Sequence, residues 1–547
     1  MQMNFSVASP DSLLSCLARA REGDRVLIPP AVYGFHPRRA HRFSCSLSNS
    51  DPAPELCAGI LLKGKKDLIL DGQGSVLLCH GQISPIALLG CRNLTLQNFI
   101  LDWDIPLTAE GRITASGEDH TDVQVDPGKF PFHIQEQTLY FDGGDWSQKL
   151  NFWGHTEFDP VRDCLAPDRG DRFPPSTQQL LPDGQIRFTG DFRGKEPTPG
   201  NILVLRHGHR IHPGILIHDC RKITLQNIRI HGSGGLGILA QFSKDLTFSH
   251  VDLVPNREKG RFYAGVHDDG IHLSGNSGEI CIENCSFSGL MDDPINIHGI
   301  AVKLKKQLTD DTVLGSFMHP QSRGHLLWAR PGDLTALLDG NTMEELCRLT
   351  VQNYRLLNDT DFEITFGEPL TGLPFQSCSS FSLENLSSCP HVICRGNFFG
   401  PCRARGLLVT TPGKVLIADN VFRSSGAAIR IAGDVCTWYE SGRCRDVTIE
   451  HNLFTETCLS NAYQGGQAVI SISPELPGPD PRFPCHQNIR IRENIFRSST
   501  PHILYALCTE DLLFCHNRIF LPCGEPVYTL EHCKNPCIQD NQIQELI

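Results

Sequence analysis

A short motif that recurs about every 23 residues constrains the fold of this chain more than any other feature. In each copy, alternating apolar residues end in an asparagine, and an aliphatic or aromatic residue follows. His250 stands at the equivalent place in LTFSHVDL, 23 residues after Asn227. The asparagine copies are LTLQNFIL (Asn98), ITLQNIRI (Asn227), CIENCSF (Asn284), CRGNFF (Asn397), IADNVF (Asn420), IEHNLF (Asn452), IRENIF (Asn494), CHNRIF (Asn517) and IQDNQI (Asn541).

Short alternating strands at this interval are typical of a parallel β-helix, in which each coil stacks on the previous one at a strand spacing of about 4.8 Å. Asparagine suits the turns between strands because it tolerates the left-handed backbone conformation. Its amide can also bond nearby backbone or a stacked asparagine. A leucine-rich repeat would require a denser leucine pattern and a helix or equivalent in each repeat, and the sequence has neither. We therefore predict an all-β chain built on a parallel β-helix.

Two stretches interrupt the repeat, and we predict that they form inserted antiparallel β-domains. Residues 104–212 and 301–380 contain many turn signals between short alternating strands. A short helix that begins near Pro10, with Leu13 and Leu17 on one face, would cover the open end of the coil stack. The predicted order is a cap with the first coils (1–103), the first insert (104–212), coils with the candidate site (213–300), the second insert (301–380) and the C-terminal coils (381–547).

Composition excludes several classes of protein. The chain of 547 residues carries a net charge of −12, which argues against nucleic acid as a partner. It has no run of 18 apolar residues and no basic segment followed by an apolar one at its start, so we expect no membrane span, no signal peptide and a cytoplasmic location. Its 23 cysteines mostly lie beside aliphatic residues and form no matched C-x2-C pairs, so we expect reduced, buried thiols rather than a structural zinc site.

The strongest functional signal is a pair of adjacent aspartates that occurs twice, one predicted coil apart. Asp268 and Asp269 open the first copy, and Asp292 and Asp293 open the second copy 24 residues later. One coil of separation would stack each acid of the first pair on its counterpart. A glycine follows the first pair and a proline follows the second, and proline is unsuited to a central strand. We therefore place both pairs at a turn or at the start of a strand.

The strands that follow these acids are predicted to point polar side chains away from the coil interior. Strict alternation places the isoleucines and the leucine of IHL and INI inside the coil. It therefore places His272, Asn296 and His298 on the outer face, beside the acids.

Three explanations compete for the stacked acids. Ionised carboxylates about 5 Å apart repel one another and raise one another's pKa values, so a cation, a ligand or a function must offset the repulsion. We prefer a glycosidase site, because glycoside hydrolysis needs one carboxylic acid to protonate the leaving oxygen and one carboxylate on the anomeric side. A ladder of turn acids ranks second and a calcium site third.

The segments DDGIHLSG, MDDPINIHG and AIRIAGDVCTWYESGRCRDVTI (428–449) resemble glycoside hydrolase family 110, the α-1,3-galactosidases that remove terminal galactose from blood-group-B-type and related glycans. The resemblance covers nearly the whole chain. It implies a right-handed, pectin-lyase-like parallel β-helix with two inserted antiparallel β-barrels. It also implies inversion at the anomeric carbon, with no metal and no other cofactor.

The resemblance further implies three catalytic aspartates, one in the first acid pair and both in the second. By spacing they correspond to Asp269, Asp292 and Asp293. Asp292 and Asp269 are offset by one residue as well as by one coil, which lengthens their separation, and inversion requires room for a water molecule between acid and base. We therefore favour Asp292 as the acid and Asp269, helped by Asp293, as the base.

Further side chains near the acids and in residues 428–449 are expected to contact the sugar. Trp438 could stack on the apolar face of galactose, and Glu440 could accept hydrogen bonds from sugar hydroxyls. Loop packing and an ion pair with Arg443 or Arg445 is the alternative for that segment. The expected contact residues are His267, Asp268, His272, Asn296, His298, Arg430, Asp434, Trp438 and Glu440.

Other functions remain open at the level of sequence. A polygalacturonase-like hydrolase should carry Gly-His-Gly and Arg-Ile-Lys motifs in later coils, which are absent, and RHGHRIH (206–212) falls in the first insert. A lyase would need a basic residue, and Arg257, Lys259 and Arg261 precede the acids. A carbohydrate-binding β-helix of tailspike type is the non-enzymatic alternative. The expected partner is an oligosaccharide with terminal α-galactose, with no nucleic acid and no membrane, and a homodimer is left open.

Overall fold

The computed structural model describes residues 10–151, 154–169, 176–370, 381–460, 462 and 467–546. Its body is the predicted parallel β-helix, in which two long, mainly parallel sheets follow the stack of coils. The strands of the larger sheet are Arg25–Leu27, Val32–Phe35, Lys66–Cys79, Arg92–Trp103, Arg221–Ile230, Lys244–Leu253, Ser277–Glu283, Ser286–Phe287, His391–Arg395, Phe398–Phe399, Lys414–Ala418, Val421–Phe422, Asp446–Glu450, Leu453–Thr455, His486–Arg492, Ile495–Arg497, Thr509–Cys515, Arg518–Leu521, Cys537–Gln539 and Gln542–Glu545.

The second sheet carries the strands that follow the paired aspartates. Parallel pairing joins each strand to the equivalent strand of the next coil. Two pairings are antiparallel: His41–Phe43 with Leu56–Lys63 at one end of the sheet, and Glu440–Ser441 with the last residues of Ile295–Ile300. Its strands are His41–Phe43, Leu56–Lys63, Ser84–Leu89, Ile215–His218, Ile238–Gln241, Ile271–Ser274, Ile295–Ile300, Leu407–Thr410, Ile429–Ile431, Glu440–Ser441, Ile470–Ile472, His502–Leu507 and Val527–Glu531.

The core of the β-helix is a continuous column of aliphatic and aromatic side chains between the sheets. Phenylalanines at one position of successive coils stack on one another, with ring centroids 5.3 Å apart for Phe287 and Phe399, 4.3 Å for Phe399 and Phe422, and 5.1 Å for Phe422 and Phe454. Such stacking supplies apolar burial and offset aromatic contact at every coil. A residue therefore has a fixed partner one coil away, and this register positions the candidate site.

The predicted asparagine ladder is confirmed in the C-terminal coils. Asn397 donates through Nδ2 to Oδ1 of Asn420 at 3.0 Å, and the same side-chain bond recurs in every coil down to the last. The backbone N–H of each asparagine also donates to the asparagine below it, as in Asn397 to Asn420 at 2.9 Å. These bonds pair buried amides that would otherwise have no partner. The ladder therefore fixes the register of the turns.

The two halves of the repeat use asparagine differently, and the predicted alignment between them is off by one residue. Asn98, Asn227 and Asn284 have the left-handed conformation themselves. In the C-terminal coils the residue before the asparagine has it instead, as in Asp419 at φ 56°. Pairing of Ser286–Phe287 with Phe398–Phe399 places Cys285, not Asn284, above Asn397, and the Cys285 N–H donates to Asn397 Oδ1 at 2.9 Å.

The predicted cap is the helix Pro10–Arg19, whose residues Leu13 and Leu17 are buried in the end of the core. Among the described residues, short 3-10 helices occur at Pro37–Arg39, Arg257–Lys259 and Leu386–Ser388. No helix in the described ranges is long and apolar enough to cross a membrane. The cysteines placed by the structure are free of disulfides, and more than half of them are buried.

The first insert is antiparallel, as predicted from its turn signals. A seven-stranded sheet pairs, in order, Cys164–Leu165, Thr156–Asp159, Ile202–Arg206, Thr108–Ser116, His120–Val125, Ile186–Thr189 and Thr177–Leu180. A three-stranded sheet adds Phe132–Gln135, Thr138–Asp142 and Ser147–Lys149. The last long strand ends at Arg206, so the insert delivers residues 206–210 to the β-helix.

The second insert is a closed antiparallel barrel around its own core, which includes Phe317, Trp328 and Phe362. Its closing strand, Phe381–Asn385, follows the predicted insert of 301–380 and lengthens it by five residues. The strands pair in the order Val302–Gln307, Thr312–Ser316, Asp361–Phe366, Glu345–Leu356, Leu334–Asp339 and Phe381–Asn385.

Candidate active site

A cavity of about 290 Å³ lies against the outer face of the second sheet. Asn296, Leu408 and Arg430 occupy one outward position in three successive coils and contribute to its wall. The remaining lining comes from loops that leave the coils and from the first insert. The lining residues are Asn49, Arg210, Asp269, Asp292, Asp293, Asn296, Arg403, Arg405, Leu408, Arg430, Ala432, Asp434, Trp438, Glu440, Ala462 and Glu475.

The paired aspartates stack in the predicted register, one coil apart. Ile271 pairs with Ile295, so each acid pair immediately precedes the strand of its own coil. The Gly270 N–H donates to the Asp293 carbonyl at 2.9 Å. A Cβ at Gly270 would lie 2.5 Å from the Pro294 carbonyl oxygen, so this close approach requires glycine. The turn thus brings three of the four carboxyl groups to the cavity.

Two of these carboxylates are fixed by arginines that follow them in the next coil. Arg403 Nη1 lies 3.3 Å from Asp292 Oδ1. Arg405 binds Asp293 twice, through its backbone N–H at 2.9 Å from Oδ1 and through Nη2 at 2.7 Å from Oδ2. The Asp292 side chain is 20% exposed, whereas that of Asp293 is 2% exposed. Asp292 is therefore the more accessible of the two.

Asp269 is held from both sides. Arg210, from the end of the first insert, places Nη2 3.4 Å from Asp269 Oδ1. His272 places Nδ1 2.6 Å from Asp269 Oδ2. Since the Asp269 side chain is only 4% exposed, its charge depends on these partners rather than on water.

The three carboxyl groups differ in their affinity for protons. Burial raises the pKa of Asp269 to about 7, and the Asp292 charge adds to the effect against the opposing charge of Arg210. Burial likewise raises the pKa of Asp293 to about 7 despite Arg405. Burial would also raise the pKa of Asp292, but Arg403, Arg405 and Arg210 together hold it below its usual value. Asp292 is therefore the first of the three to ionise as the pH rises, and Asp269 and Asp293 hold protons more tightly.

Asp268 and His267 do not line the cavity, which is a correction to their prediction as sugar contacts. Asp268 is fully buried and forms an ion pair with Arg206, and its Oδ2 lies 2.8 Å from His267 Nδ1. The other ring nitrogen of His267 bonds the His207 carbonyl at 2.8 Å. These residues fasten the first insert to the β-helix, and no sequence pattern distinguished Asp268 from its neighbour.

His272 and His298 also lie outside the lining, although they are on the predicted outer face. Both are almost fully buried, and their Nε2 atoms are 2.9 Å apart. His298 Nδ1 lies 2.6 Å from the carbonyl oxygen of the next residue, Gly299. They therefore act behind Asp269 rather than on a ligand.

Glu440 and Asn296, both predicted to contact the sugar, lie together at the cavity wall. Asn296 Nδ2 lies 3.4 Å from Glu440 Oε2, and Asn49 from the N-terminal region donates to Oε1 at 2.5 Å. The pKa of Glu440 is lowered because His298, His272 and these amides outweigh its burial. The alternative of an ion pair with Arg443 does not occur, since Arg443 binds Glu345.

Arg430 reaches the cavity and is supported by a residue that the sequence did not single out. Its Nη2 lies 2.9 Å from Glu475 Oε1, and its Nε lies 3.1 Å from Ser473 Oγ. Glu475 also lines the cavity, and Thr437 Oγ1 donates to its other oxygen at 2.5 Å.

Asp434 and Trp438 belong to one loop with different roles. The Asp434 carboxylate accepts the backbone N–H groups of Cys436, Thr437, Trp438 and Tyr439, so it shapes the loop, although it also borders the cavity. Trp438 is 40% exposed at the cavity edge, and its ring centroid lies 4.2 Å from that of His319 of the second insert. Trp438 is thus placed at the edge of the cavity, and its stacking on galactose stays a prediction.

Positive charge at the site comes from arginines that sequence reasoning missed as site residues. Arg210, Arg403 and Arg405 each lie within 3.4 Å of a carboxylate of the cavity. RHGHRIH contains Arg210, but its place in an insert gave no indication that it returns to the acids. No group of three or more His, Cys, Asp or Glu side chains in the described segments has the geometry of a metal site.

Comparisons with known proteins agree with this architecture. A family model described as the GLAA-B beta-barrel domain I matches residues 109–203, which lie in the first insert. The chain is 39% identical to alpha-1,3-galactosidase B of Bacteroides thetaiotaomicron over 535 residues, covering 95% of this chain and 86% of the relative. It is 32% identical to alpha-1,3-galactosidase A of Bacteroides fragilis over 542 residues, covering 95% and 87%. It is 30% identical to alpha-1,3-galactosidase B of Phocaeicola vulgatus over 567 residues, covering 99% and 93%. With that similarity over nearly its whole length, the chain belongs to the α-1,3-galactosidase family, glycoside hydrolase family 110.

Proposed function

We propose that the protein is an exo-acting hydrolase that releases terminal α-1,3-linked D-galactose from blood-group-B-type or linear α-galactosyl glycans, with inversion. The convergence of three carboxyl groups in one arginine-supported cavity is the observation that carries the proposal. Glycoside hydrolysis requires a proton donor and a carboxylate that activates water. The relatives named alpha-1,3-galactosidase supply the linkage and the sugar.

We assign the acid role to Asp292 from its position. An exo-acting enzyme encloses the terminal sugar and leaves the aglycone at the opening, so the acid must lie on the accessible side. Asp292 is 20% exposed, against 4% for Asp269 and 2% for Asp293. The two buried carboxylates are then the water-activating pair.

The charge distribution of the free site opposes this assignment. Asp292 has the lowered pKa, whereas an acid should hold a proton at the working pH. The productive arrangement has one proton on Asp292 and ionised Asp269 and Asp293, so one proton of the buried pair must pass to Asp292 and the other must leave to solvent. A bound sugar favours this arrangement, because it removes water from the most accessible carboxylate and raises the pKa of that group.

Unpaired polar atoms on the wall would bind the sugar hydroxyls. Among the placed residues, Asn296 Oδ1 and Arg405 Nε are buried without a hydrogen-bond partner, and both residues line the cavity. A buried acceptor and a buried donor in this state are suited to a ligand hydroxyl, which supplies both functions. Trp438 would contact the apolar face of a sugar ring at the edge.

The alternatives have less support. The basic residues considered for a lyase point elsewhere: Lys259 and Arg261 bind Asp102 at 2.7 and 3.1 Å, and none of them lines the cavity. A binding module would not require three carboxyl groups with displaced pKa values at one cavity.

Time-resolved proton NMR with defined α-1,3-galactosyl saccharides, with and without a fucose branch, tests the function. We expect galactose as the released sugar, with the β-anomer first. Asp293→Asn should abolish release and retain the thermal transition of the wild type. No galactose from any substrate would reject the hydrolase, and α-galactose first would reject inversion. Comparison of the two substrate sets decides between branched and linear glycans.

A further inference from the structure

Three short contacts link Asp269 to the backbone through two buried imidazoles. Asp269 Oδ2 lies 2.6 Å from His272 Nδ1, His272 Nε2 lies 2.9 Å from His298 Nε2, and His298 Nδ1 lies 2.6 Å from the Gly299 carbonyl oxygen. His272 is fully buried, His298 is 1% exposed and Asp269 is 3% exposed. We call Asp269, His272 and His298 the Asp–His–His row. All four ring nitrogens of the row are therefore engaged.

The number of protons in the row follows from these contacts. A carbonyl oxygen only accepts, so His298 Nδ1 must carry a hydrogen. One hydrogen is needed between the two Nε2 atoms and one between His272 and Asp269. The row thus needs three hydrogens, whereas two neutral imidazoles and an ionised carboxylate hold only two.

We infer that the Asp–His–His row stores one extra proton in the free enzyme, and that His272 and His298 are positioning residues that control when Asp269 becomes available as a base. If that proton is lost while the row keeps its geometry, one of the three contacts has no hydrogen. The ionised Asp269 then faces the His272 Nδ1 lone pair at 2.6 Å, the two Nε2 lone pairs face each other at 2.9 Å, or a His298 Nδ1 lone pair faces the Gly299 oxygen at 2.6 Å. Each of these contacts replaces a buried hydrogen bond with a repulsion.

The stored proton resides on Asp269 rather than on an imidazole. Burial lowers the pKa of His272 well below its usual value, and the neighbouring ring of His298 lowers it further. Burial raises the pKa of Asp269. Neutral His272 then donates through Nε2 to His298 and accepts at Nδ1 from the protonated carboxyl.

Other charged side chains also face the row. Arg210 lies 3.4 Å from Asp269 and favours an ionised carboxylate, whereas the nearby charges of Asp292 and Glu440 disfavour it. Glu440 Oε1 lies 3.7 Å from His298 Nε2 and places a negative charge beside the row, and Arg405 is a more distant positive charge. These opposing charges do not change the hydrogen count, which geometry alone determines.

The consequence for turnover rests on the proposed function. A carboxyl that already holds a proton cannot take one from water, so Asp269 works as a base only after the row has released it. The value of kcat/KM should therefore rise as the pH rises through this release. This acidic limb of the pH profile reflects proton release from the whole row. A substitution at His298 should therefore shift the limb, although His298 does not contact the substrate.

Two substitutions at His298 test this control. His298→Gln keeps an acceptor for His272 and a donor for Gly299, so three hydrogens are still required and the acidic limb should remain in place. In His298→Leu, neutral His272 can donate through Nδ1 to an ionised Asp269, so the limb should move to lower pH by about one unit or more. Equal limbs in two variants with native-like thermal transitions would overturn the inference.

Neutron diffraction of the deuterated full-length protein near pH 6 supplies a readout that does not depend on turnover or on the variants folding. Three deuterium positions are expected, between Asp269 and His272, between the two Nε2 atoms, and on His298 Nδ1. Two positions with an ionised Asp269 would contradict the inference even if galactosidase activity is established. Three positions without galactose release would leave the row intact and reject only the proposed function.

Discussion

Arg405 binds both oxygens of Asp293: its backbone N–H donates to Oδ1 at 2.9 Å and its Nη2 donates to Oδ2 at 2.7 Å. The two bonds come from one residue on the next coil, so the stacking register of the β-helix determines the orientation of this carboxylate. The two bonds stabilise the negative charge of this buried carboxylate and prevent its rotation.

Replacing Arg405 with lysine should therefore lower catalytic efficiency, although the positive charge beside Asp293 is kept. Lysine keeps the charge and the backbone bond but cannot reproduce the planar guanidinium contact. We expect kcat/KM on an α-1,3-galactosyl disaccharide to fall by about 10²-fold, which is typical of a misplaced catalytic group. Arg395→Lys, at an exposed residue that lies 3.7 Å from Asp419, is the matched control and should retain full activity. Similar losses in both variants would refute a specific role.

Activated substrates should identify the acid. Asp292→Asn should lower kcat/KM on a natural disaccharide by about 10²–10⁴-fold, because general acid catalysis contributes that much. A dinitrophenyl α-galactoside has a leaving group that needs no proton, so the same variant should lose far less on it. Asp269→Asn should lose activity on both substrates. If Asp269→Asn spares the activated substrate and Asp292→Asn does not, the two roles are exchanged.

Asp269 should make stability depend on pH. Its pKa rises from the ordinary 3.8 of an exposed aspartate to about 7 on folding, so the folded state holds a proton that the unfolded state releases. Its contribution is present below pH 4 and is lost as the pH rises to about 7. The Asp269→Asn variant has no such proton to lose. Its urea midpoint should therefore rise relative to that of the wild type as the pH increases from 5 to 8. The exposed Asp183→Asn serves as control, and a constant difference across this range would disprove the linkage.

The asparagine ladder should contribute measurably in its interior. The Asn420 side chain accepts from the N–H and Nδ2 of Asn397 and donates to Cys394 and Asn452, all at 2.9–3.0 Å. Asn420→Ala leaves these buried groups unpaired and should lower the free energy of unfolding by about 2–4 kcal/mol. Asn541→Ala, at the less buried end, should cost less. Urea denaturation followed by circular dichroism compares them, and equal costs would show that the ladder adds nothing beyond the turn.

The β-helix and the stacked acids could be predicted because both follow from the period of the repeat, and the inserts could be predicted because they interrupt that period. A spacing of one coil determines a neighbour, so the pairing of His272 with Asn296 followed directly from the interval. The one-residue error at Asn284 arose because two types of turn both contain asparagine. In one type the asparagine has the left-handed conformation, and in the other the residue before it does. Only hydrogen bonding, not spacing, separates them.

Contacts made by the inserts could not be predicted in this way. Arg210 reaches Asp269 because the first insert docks on the β-helix, and no period relates the two. Arg206 removes Asp268 from the site for the same reason. Arg403 and Arg405 lie in a coil, yet their direction depends on a turn whose conformation the pattern does not define.

The cavity wall joins Asn49 near the start of the chain, Arg210 at the end of one insert, and Glu440 beyond the other. Its parts are therefore assembled late and together, after contacts of long sequence separation have formed. During refolding, the β-sheet signal should return before activity does, and the delay measures the docking of the inserts. A chain shortened at either end can retain coils and a core and still have no complete site.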